Sequence, residues 1–529
     1  MNWRFKRKED NNVKGLLASH SLGSAVAMVL FLLLLIGLSA SSGWAEPAQT
    51  NGQVQVIVSP LRLARTLDTG TGAKLVLDMN LYQSLKSQTK VKVTDFQVAP
   101  ERMIDLELEQ FFVFDDRTKF VAGTDQGDRP LPAPDVTLLQ GKVTGYPDSK
   151  VFLGLSPLGC NGFLTFGEET FILTTKPGQD KTGQQLAPVI YEQSSVQMSP
   201  AGVWCGGGIE VPEPERQPIP EKSEAKLPYV YKICDVAVDA DWEYYSDLFG
   251  QDYSRALTYI AEVIAAASTI YDRDIQVKLY LGFARVWTTS ADPYNQPGGT
   301  AAALAEFRDW WSSNMWWVSR TVAHKFTGTF GGGIAYLNVL CSTAWGYGLS
   351  SLRGYFPYPI APGDSTWDLI VVAHELGHNF GSPHTHCYDP PPDHCYNQEA
   401  GCYGGPVECS RGTIMSYCHM CSPGVANIDL NFDPQCITRI RWYVDPPSCM
   451  SIAQNPIYVD RANSGYENGT SMYPFNAVSE GIRGVTPGGT VRIRSGDYPE
   501  AMTVRERMTL EKWEGATPVI IGSSSSSEK

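Results

Sequence analysis

Period-two alternation of apolar and polar residues dominates the first two hundred residues of the chain. Pro, Gly and Asp interrupt this alternation at short intervals, which is typical of half-buried strands joined by turns. The pattern therefore predicts a β-rich domain over residues 46–208. The alternating stretches are residues 54–58, 90–93, 103–108, 146–155 and 162–167.

Strand patterns and helical spacings alternate between residues 227 and 450. Such alternation predicts a domain of the α/β (α+β) class. The predicted strands are 229–238, 275–281 and 330–339, and the predicted helices are 254–270, 301–317 and 435–443. A further apolar run at residues 367–373 leads into a helix with one buried side.

Both ends of the chain differ from this central part. Residues 1–45 begin with basic side chains, continue with an apolar run at 24–38, and end in small residues, which predicts a signal peptide cleaved after Ala45. The alternative is a signal anchor, because the run is only a little short of a membrane span. Short strands among Gly-rich turns predict a β-helix-like segment at 455–522, followed by a polar tail at 523–529.

Composition narrows the classes of function. The net charge of -14, with no basic stripe, argues against partners such as nucleic acid or an anionic membrane surface. Residues 209–226 are rich in Pro and Glu, which predicts a stiff, exposed and cleavable linker. Ten of the twelve cysteines lie between Cys234 and Cys449, and in an exported chain they predict disulfides. For the six cysteines of the loop region 387–421, a zinc knuckle is the alternative.

The most specific motif is His374-Glu375-x-x-His378-x-x-Gly381-x-x-His384. On a helix the first two histidines share one face, and a glycine with positive φ lets the chain turn back so that the third can join them. Three neutral imidazoles with one open position are the ligands of a catalytic zinc. The whole motif arises by chance in on the order of one such chain in a hundred thousand.

Four further sequence features are interpreted together with this motif. Met415, in the segment 412–417, is predicted to form a methionine turn under the metal. Cys205 precedes the linker, and its thiolate could fill the open zinc position as a zymogen switch; a disulfide with Cys160 is the alternative. Gly333, Ile334 and Ala335 are predicted to bind substrate as a sheet edge, unless they form an ordinary buried strand. Four other histidines are predicted to be structural, with an extra metal ligand among them as the alternative: His324, His386, His394 and His419.

These residues resemble the metzincin zinc proteases, most closely the adamalysin/reprolysin group, over about residues 227–450. The resemblance extends to residues 238–245, 292–294, 323–328, 332–336 and 340–342. It implies a mixed five-stranded sheet with helices, cut by an active-site cleft, and it suggests a disulfide between Cys341 and Cys449. Residues 143–171 look like a reprolysin propeptide, which makes Cys205 the candidate for the cysteine switch.

Two positions depart from the reprolysin pattern. Thr385 stands where that family has Asp, so an outer carboxylate is expected to be missing. The sequence Met415-Ser-Tyr417 is similar to astacins and serralysins, in which the tyrosine is a displaceable zinc ligand; the alternative is that Tyr417 only packs. The tail looks like the opening of a right-handed β-helix of the pectate-lyase-like kind, and no lyase residues can be assigned in it.

The sequence therefore predicts a secreted zinc metalloendopeptidase made as a zymogen. His374, His378 and His384 are expected to hold one Zn²⁺, with Glu375 as general base toward a zinc-activated water and Tyr417 assisting at the oxyanion. Ca²⁺ is a second candidate cofactor, and the sequence does not indicate whether the chain binds it. The expected partners are protein or peptide substrates, with no nucleic acid and no stable membrane association after signal cleavage; the oligomeric state is not indicated. The alternative is a catalytically silent adhesion protein with a retained protease fold, against which an intact Glu375 argues.

Overall fold

The computed structural model describes residues 54–66, 72–178, 186–195, 205–211, 231–295, 299–329, 331–356, 368–445, 449–465, 467, 469–486, 488–500, 504, 508–513 and 519–521. The predicted signal peptide, the polar tail and most of the predicted linker lie outside the described residues. Gln55–Lys529 make up one compact unit. None of the helices that the structure describes has the length and apolar character needed to span a lipid bilayer.

The N-terminal part is rich in strands, as the alternating pattern predicts. Its elements are β1 (Gln55–Val58), β2 (Leu61–Thr66), β3 (Gly72–Leu77), α1 (Met79–Lys86), β4 (Lys90–Ala99), β5 (Arg102–Gln110), β6 (Lys119–Gly123), β7 (Arg129–Pro130), β8 (Thr137–Val143), β9 (Lys150–Ser156), β10 (Gly159–Phe166), β11 (Glu169–Thr174), β12 (Val189–Glu192) and β13 (Cys205–Ile209). Ten of these strands form one sheet in the order β1-β4-β5-β8-β9-β10-β11-β12-β3-β2. Only the β1–β4 pair in it is parallel.

The central strands of this ten-stranded sheet are buried on both faces. Leu153 and Leu164 belong to a core between the sheet and α1. Their neighbours Phe152 and Phe163 point to the opposite face, into the main core shared with residues 234–450. Because successive side chains of a strand alternate between faces, apolar residues at adjacent positions bind the sheet to two different cores. The N-terminal part is therefore packed directly onto the rest of the molecule.

The second part alternates strands and helices. Its elements are β14 (Lys232–Ala240), α2 (Tyr253–Ile275), β15 (Val277–Trp287), α3 (Thr300–Asn314), β16 (Val322–Thr327), β17 (Gly333–Tyr336), β18 (Tyr347–Ser351), α4 (Asp368–Asn379), α5 (Pro434–Val444) and β19 (Ser451–Ile452). Helix α2 begins where the Asp252 side chain accepts hydrogen bonds from two backbone N–H groups, and it ends at Gln276, whose φ is 52°. Most of its residues are buried, as expected for a helix enclosed on several sides.

The sheet of this part is larger than the five strands that the resemblance implied. Its order is β13-β17-β18-β16-β14-β15-β6-β7, with β19 also paired to β14. The five strands β17, β18, β16, β14 and β15 form its centre, and it is mixed because β17 runs antiparallel to β18. An edge strand presents unpaired N–H and C=O groups, and strands from the predicted propeptide pair with both edges. The five strands supplied by residues 227–450 are thus the centre of a nine-stranded sheet that strands from the predicted propeptide extend at both edges.

Four disulfides join described residues. Cys341 bonds to Cys449, as the resemblance suggested, and that prediction is confirmed. The six cysteines of the loop region form the pairs Cys387–Cys402, Cys395–Cys418 and Cys409–Cys421, so disulfides rather than a zinc knuckle occupy it. Cys160 and Cys205 are both free and buried, and the alternative of a disulfide between them is wrong.

The C-terminal segment contains short parallel strands. They are β20 (Ile457–Val459), β21 (Thr490–Ile493), β22 (Gly496–Tyr498), β23 (Thr509–Lys512) and β24 (Val519–Ile521), with α6 (Val478–Gly484) between the first two. The pairs β20–β21, β21–β23 and β22–β24 are parallel and in register. The parallel pairing of these short strands agrees with a β-helix-like segment. A complete β-helix stays a prediction.

Candidate metal centre

Three imidazoles and one thiol converge inside the second part of the molecule. One ligand atom from each of Cys205, His374, His378 and His384 lies within 4.8 Å of all the others, and all four residues are buried. We call these four residues the donor cluster. The distance from His378 Nε2 to His384 Nε2 is 3.2 Å, and that from Cys205 Sγ to His378 Nε2 is 3.6 Å. Two donors come from α4, one from the turn that follows it, and one from β13.

Helix α4 and its end explain how the three histidines meet. His374 and His378 are one helical turn apart and share a face of α4. The helix begins at Asp368, a buried carboxylate that accepts hydrogen bonds from Tyr259 Oη and from backbone N–H groups; burial raises the pKa of Asp368 to about 6. After the helix, Gly381 has φ 94°, and a Cβ there would lie 2.3 Å from Asn338 Oδ1. This left-handed glycine turns the chain so that His384 reaches the cluster.

The Nδ1 atoms of the three histidines are all occupied by acceptors. His374 Nδ1 lies 2.7 Å from Ile414 O, and His378 Nδ1 lies 2.8 Å from Ser382 O. His384 Nδ1 lies 2.6 Å from Glu399 Oε2. Because carbonyl and carboxylate oxygens only accept, each Nδ1 carries the proton and each Nε2 keeps a lone pair. Three lone pairs that face one another repel unless a cation lies between them.

The spacing of the donor cluster fits Zn²⁺. Tetrahedral coordination with Zn–N of about 2.05 Å and Zn–S of about 2.3 Å separates two nitrogens by about 3.3 Å and a nitrogen from a sulfur by about 3.6 Å. The two distances in the cluster agree with these values. In addition, His374 Nε2 is buried and has no hydrogen-bond partner among the described residues. The donor set of three imidazoles and one thiol is also one that zinc favours.

Burial determines the protonation of the groups in this site. It lowers the pKa of His378 to about 3, that of His384 to about 4 and that of His374 well below its usual value, so the imidazoles are neutral and able to bind a metal. It also raises the pKa of Glu375 and that of the neighbouring Cys205 thiol well above their usual values. A cation at the cluster would oppose both increases, because it stabilises the negative forms.

Glu375 is fixed against the sheet. It is fully buried on α4, and a Cβ added to Gly333 would lie 2.5 Å from its Cγ and Oε1. The absence of a side chain at Gly333 is therefore what lets the carboxyl group lie next to the donor cluster. This contact connects β17 directly with the residue predicted to act as a base.

The predicted substrate-binding edge is paired with a strand of the chain itself. Strand β13 runs parallel to β17, with Cys205 opposite Gly333 and Gly208 opposite Ala335. Leu337 N donates to Ile209 O at 2.9 Å. A Cβ at Gly208 would lie 3.0 Å from His378 Nδ1, so β13 passes directly over the histidines. In this state the backbone of β17 is not free to bind a peptide.

Met415 and Tyr417 pack against the helix and turn that carry the three histidines. Met415 is buried, with its sulfur 2.5 Å from the position of a Cβ at Gly377, and its carbonyl accepts from Thr385 N at 3.0 Å. The Tyr417 ring centroid is 4.4 Å from that of His384. Its hydroxyl donates to the Cys205 carbonyl at 2.9 Å. Tyr417 thus contacts both the histidines and β13.

Sequence reasoning missed Glu399. The departure at Thr385 predicted that an outer carboxylate would be missing, and this was wrong because Glu399 Oε2 accepts from His384 Nδ1. The same oxygen lies 2.7 Å from His386 Nε2. Burial by itself raises the pKa of Glu399, but the hydrogen bonds from these two histidines lower it overall. No sequence spacing could have identified this residue, because it lies in an irregular loop.

The other histidines lie outside the donor cluster. His324 is buried and lies 2.8 Å from Ser350 Oγ, and burial lowers its pKa to about 3. His394 Nδ1 lies 3.4 Å from Glu408 Oε2, and its ring stacks on Tyr403. His419 packs against Tyr417. These contacts agree with the structural roles predicted for them.

Residues 230–429 match the family model Reprolysin_5, described as Metallo-peptidase family M12. Among solved structures, the chain is similar to one titled "Crystal Structure of metalloproteinase-II from Bacteroides fragilis", at 10% identity and a TM-score of 0.40, covering 74% of this chain and 99% of that one. No curated protein matches the chain.

The matched segment carries the histidine motif, Met415 and the core of the second sheet. Over residues 230–429 the chain is therefore reprolysin-like and matches metallopeptidase family M12. This match supports a metallopeptidase, a class of enzyme that acts on peptides or proteins.

Proposed function

We propose that this chain is a secreted zinc metalloendopeptidase that is made as a zymogen. The observation that carries the proposal is the donor cluster, whose four ligand atoms lie within 4.8 Å of one another while each histidine Nδ1 is held by an oxygen. A buried group of lone pairs with this spacing is costly without a cation. Four disulfides support an oxidising compartment.

The Nε2 atoms of His374, His378 and His384 would hold the ion. When bound by three neutral imidazoles, Zn²⁺ acts as a Lewis acid that lowers the pKa of water and polarises a carbonyl. Calcium is not part of the proposal. Each of the three candidate metal groups among the described residues contains His or Cys, whereas Ca²⁺ prefers oxygen ligands.

Glu375 would act as the general base. Its carboxylate, held between α4 and Gly333, accepts a proton from the attacking water and then gives it to the nitrogen of the leaving amine. Its position one residue from His374 supports this role, because the carboxyl group lies beside the ligands without being one of the donors.

Latency would depend on β13. In the zymogen the Cys205 sulfur takes the fourth ligand position, which excludes water, and β13 covers the edge of β17. Residues 209–226 would be the cleavage region that releases β13, and residues 46–208 would act as the propeptide. Once β13 has left, the backbone of β17 around Ile334 can pair with an extended substrate, and Tyr417 Oη loses its partner Cys205 O and can donate to the oxyanion.

The test is hydrolysis of a generic protein by the chain cut within residues 209–226. We expect activity from the wild type, no activity after chelation, recovery on adding Zn²⁺, and none from Glu375→Ala. If the cut wild type bound zinc but cleaved nothing, the proposal would fail and the silent adhesion protein would replace it. A Glu375→Ala variant as active as the wild type would reject the assigned base.

A further inference from the structure

The three histidines of the donor cluster are supported in two different ways. His374 Nδ1 donates to the backbone carbonyl of Ile414, and His378 Nδ1 donates to that of Ser382. His384 instead depends on a side chain, since Glu399 Oε2 lies 2.6 Å from its Nδ1. His384 also lies beyond the end of α4, immediately before a 3-10 turn at Thr385–Cys387. Its orientation therefore rests on one carboxylate from a distant part of the loop.

Glu399 is itself fixed from several directions. His386 Nε2 lies 2.7 Å from the same carboxylate oxygen, and the His386 ring stacks on that of His384 with centroids 5.1 Å apart and planes 16° apart. The disulfide Cys387–Cys402 closes the loop that contains Glu399, and Tyr403 N donates to His386 O at 2.9 Å. The carboxylate is thus held at a set distance from the ligand that it supports.

We infer that Glu399 is the positioning residue of the metal centre, acting through His384 on the affinity for Zn²⁺. This inference rests on the proposed function. A carboxylate that accepts from Nδ1–H fixes the tautomer and ring orientation of the ligand and increases the basicity of Nε2. Glu399 thereby replaces the carboxylate that Thr385 does not supply, and it does so from a disulfide-closed loop rather than from the adjacent position.

The test measures zinc binding, which does not require activity. The dissociation constant of Zn²⁺ is determined for the full chain by competition with a chromophoric chelator. We expect Glu399→Ala to raise it by about 10- to 100-fold, the usual effect of removing such a partner. Glu399→Gln keeps an acceptor oxygen but loses the charge, so we expect a smaller increase. The absorption spectrum of the Co²⁺-loaded protein should change in both variants.

Glu408→Gln is the matched control. Glu408 lies in the same disulfide-rich region and faces His394, which is outside the donor cluster. We expect this variant to bind Zn²⁺ and Co²⁺ like the wild type. A purely structural role of Glu399 would lower the melting temperature of the variants without changing the dissociation constant or the Co²⁺ spectrum of the folded protein.

The outcomes separate this inference from the proposed function. If Glu399→Gln, folded and with its disulfides intact, binds Zn²⁺ within twofold of the wild type and gives an unchanged Co²⁺ spectrum, the inference is overturned. Should Glu399→Ala fail to fold, Glu399→Gln decides alone. A wild type that binds zinc but hydrolyses nothing rejects the proposed function and leaves the positioning role intact. A wild type that binds no zinc rejects both.

Discussion

Replacing Gly333 with alanine should disable Glu375 while leaving the metal ligands in place. A Cβ at this position would lie 2.5 Å from Cγ and Oε1 of Glu375 and 2.7 Å from its Cδ. The backbone cannot retreat freely, because Gly333 is paired with Ser350 on β18 and, in the zymogen, with Cys205. Since favourable contacts between such atoms lie at about 3.5–4.0 Å, the carboxyl group must move by about 1 Å or more.

A displacement of about 1 Å at a reacting group costs about 100-fold in rate, which corresponds to about 2.7 kcal/mol. We therefore expect kcat/KM of the cut Gly333→Ala enzyme on a fluorogenic peptide to fall about 100-fold. The free energy of unfolding should fall by about 1–3 kcal/mol, as for other overpacked sites. Zinc content should stay at one ion per chain, because Gly333 contacts the base and not the histidines.

Gly404→Ala is the control, because a Cβ there would meet no atom within 4 Å. Its activity and stability should equal those of the wild type. Near-normal hydrolysis by Gly333→Ala, with zinc bound and the fold intact, would refute the assignment of Glu375 as a base held against β17. Loss of zinc together with activity would instead mean that the methyl group disturbs the whole centre.

Four other predictions concern latency and the interface with the N-terminal part. Cys205→Ala removes the sulfur from the metal centre but leaves β13 paired with β17, so the uncut variant should be more active than the latent uncut wild type and less active than the cut wild type; equal activity of the two uncut chains would contradict the switch. Tyr417→Phe removes the hydrogen bond to Cys205 O, worth about 1 kcal/mol, so a chelator should strip zinc from the zymogen about fivefold faster, and an unchanged rate would exclude this anchor. After cleavage within 209–226, the N-terminal fragment should coelute with the protease on size exclusion, because β6 pairs with β15 and Asp128 forms two hydrogen bonds with Arg285. Asp128→Ala leaves the buried Arg285 with Asp239 as a remaining ion-pair partner, and we expect a loss of about 2–4 kcal/mol in denaturant unfolding.

Local patterns were sufficient for much of the fold. Alternation located β1, β4, β5, β9 and β10 but not the other strands of the N-terminal part, and helical spacing located α2, α3 and α5 to within a few residues. These elements follow from side-chain periodicity, which a single sequence contains. The extent of the second sheet could not be predicted in this way, because β6 and β13 join it across long sequence separations. Pairing between distant strands depends on which edges remain free after folding.

The same distinction between local pattern and tertiary packing applies to the residues of the candidate site. The sequence by itself determined the histidine motif, Glu375, the turn at Gly381 and the segment of Met415, because their spacing on one helix and one turn fixes which chemistry they can perform. Only the tertiary structure decided that Cys205 lies 3.6 Å from His378 Nε2, that β13 covers β17, and that Glu399 supports His384. These contacts join residues on separate strands and loops, whose relative positions come from the packing of the shared core rather than from any local pattern.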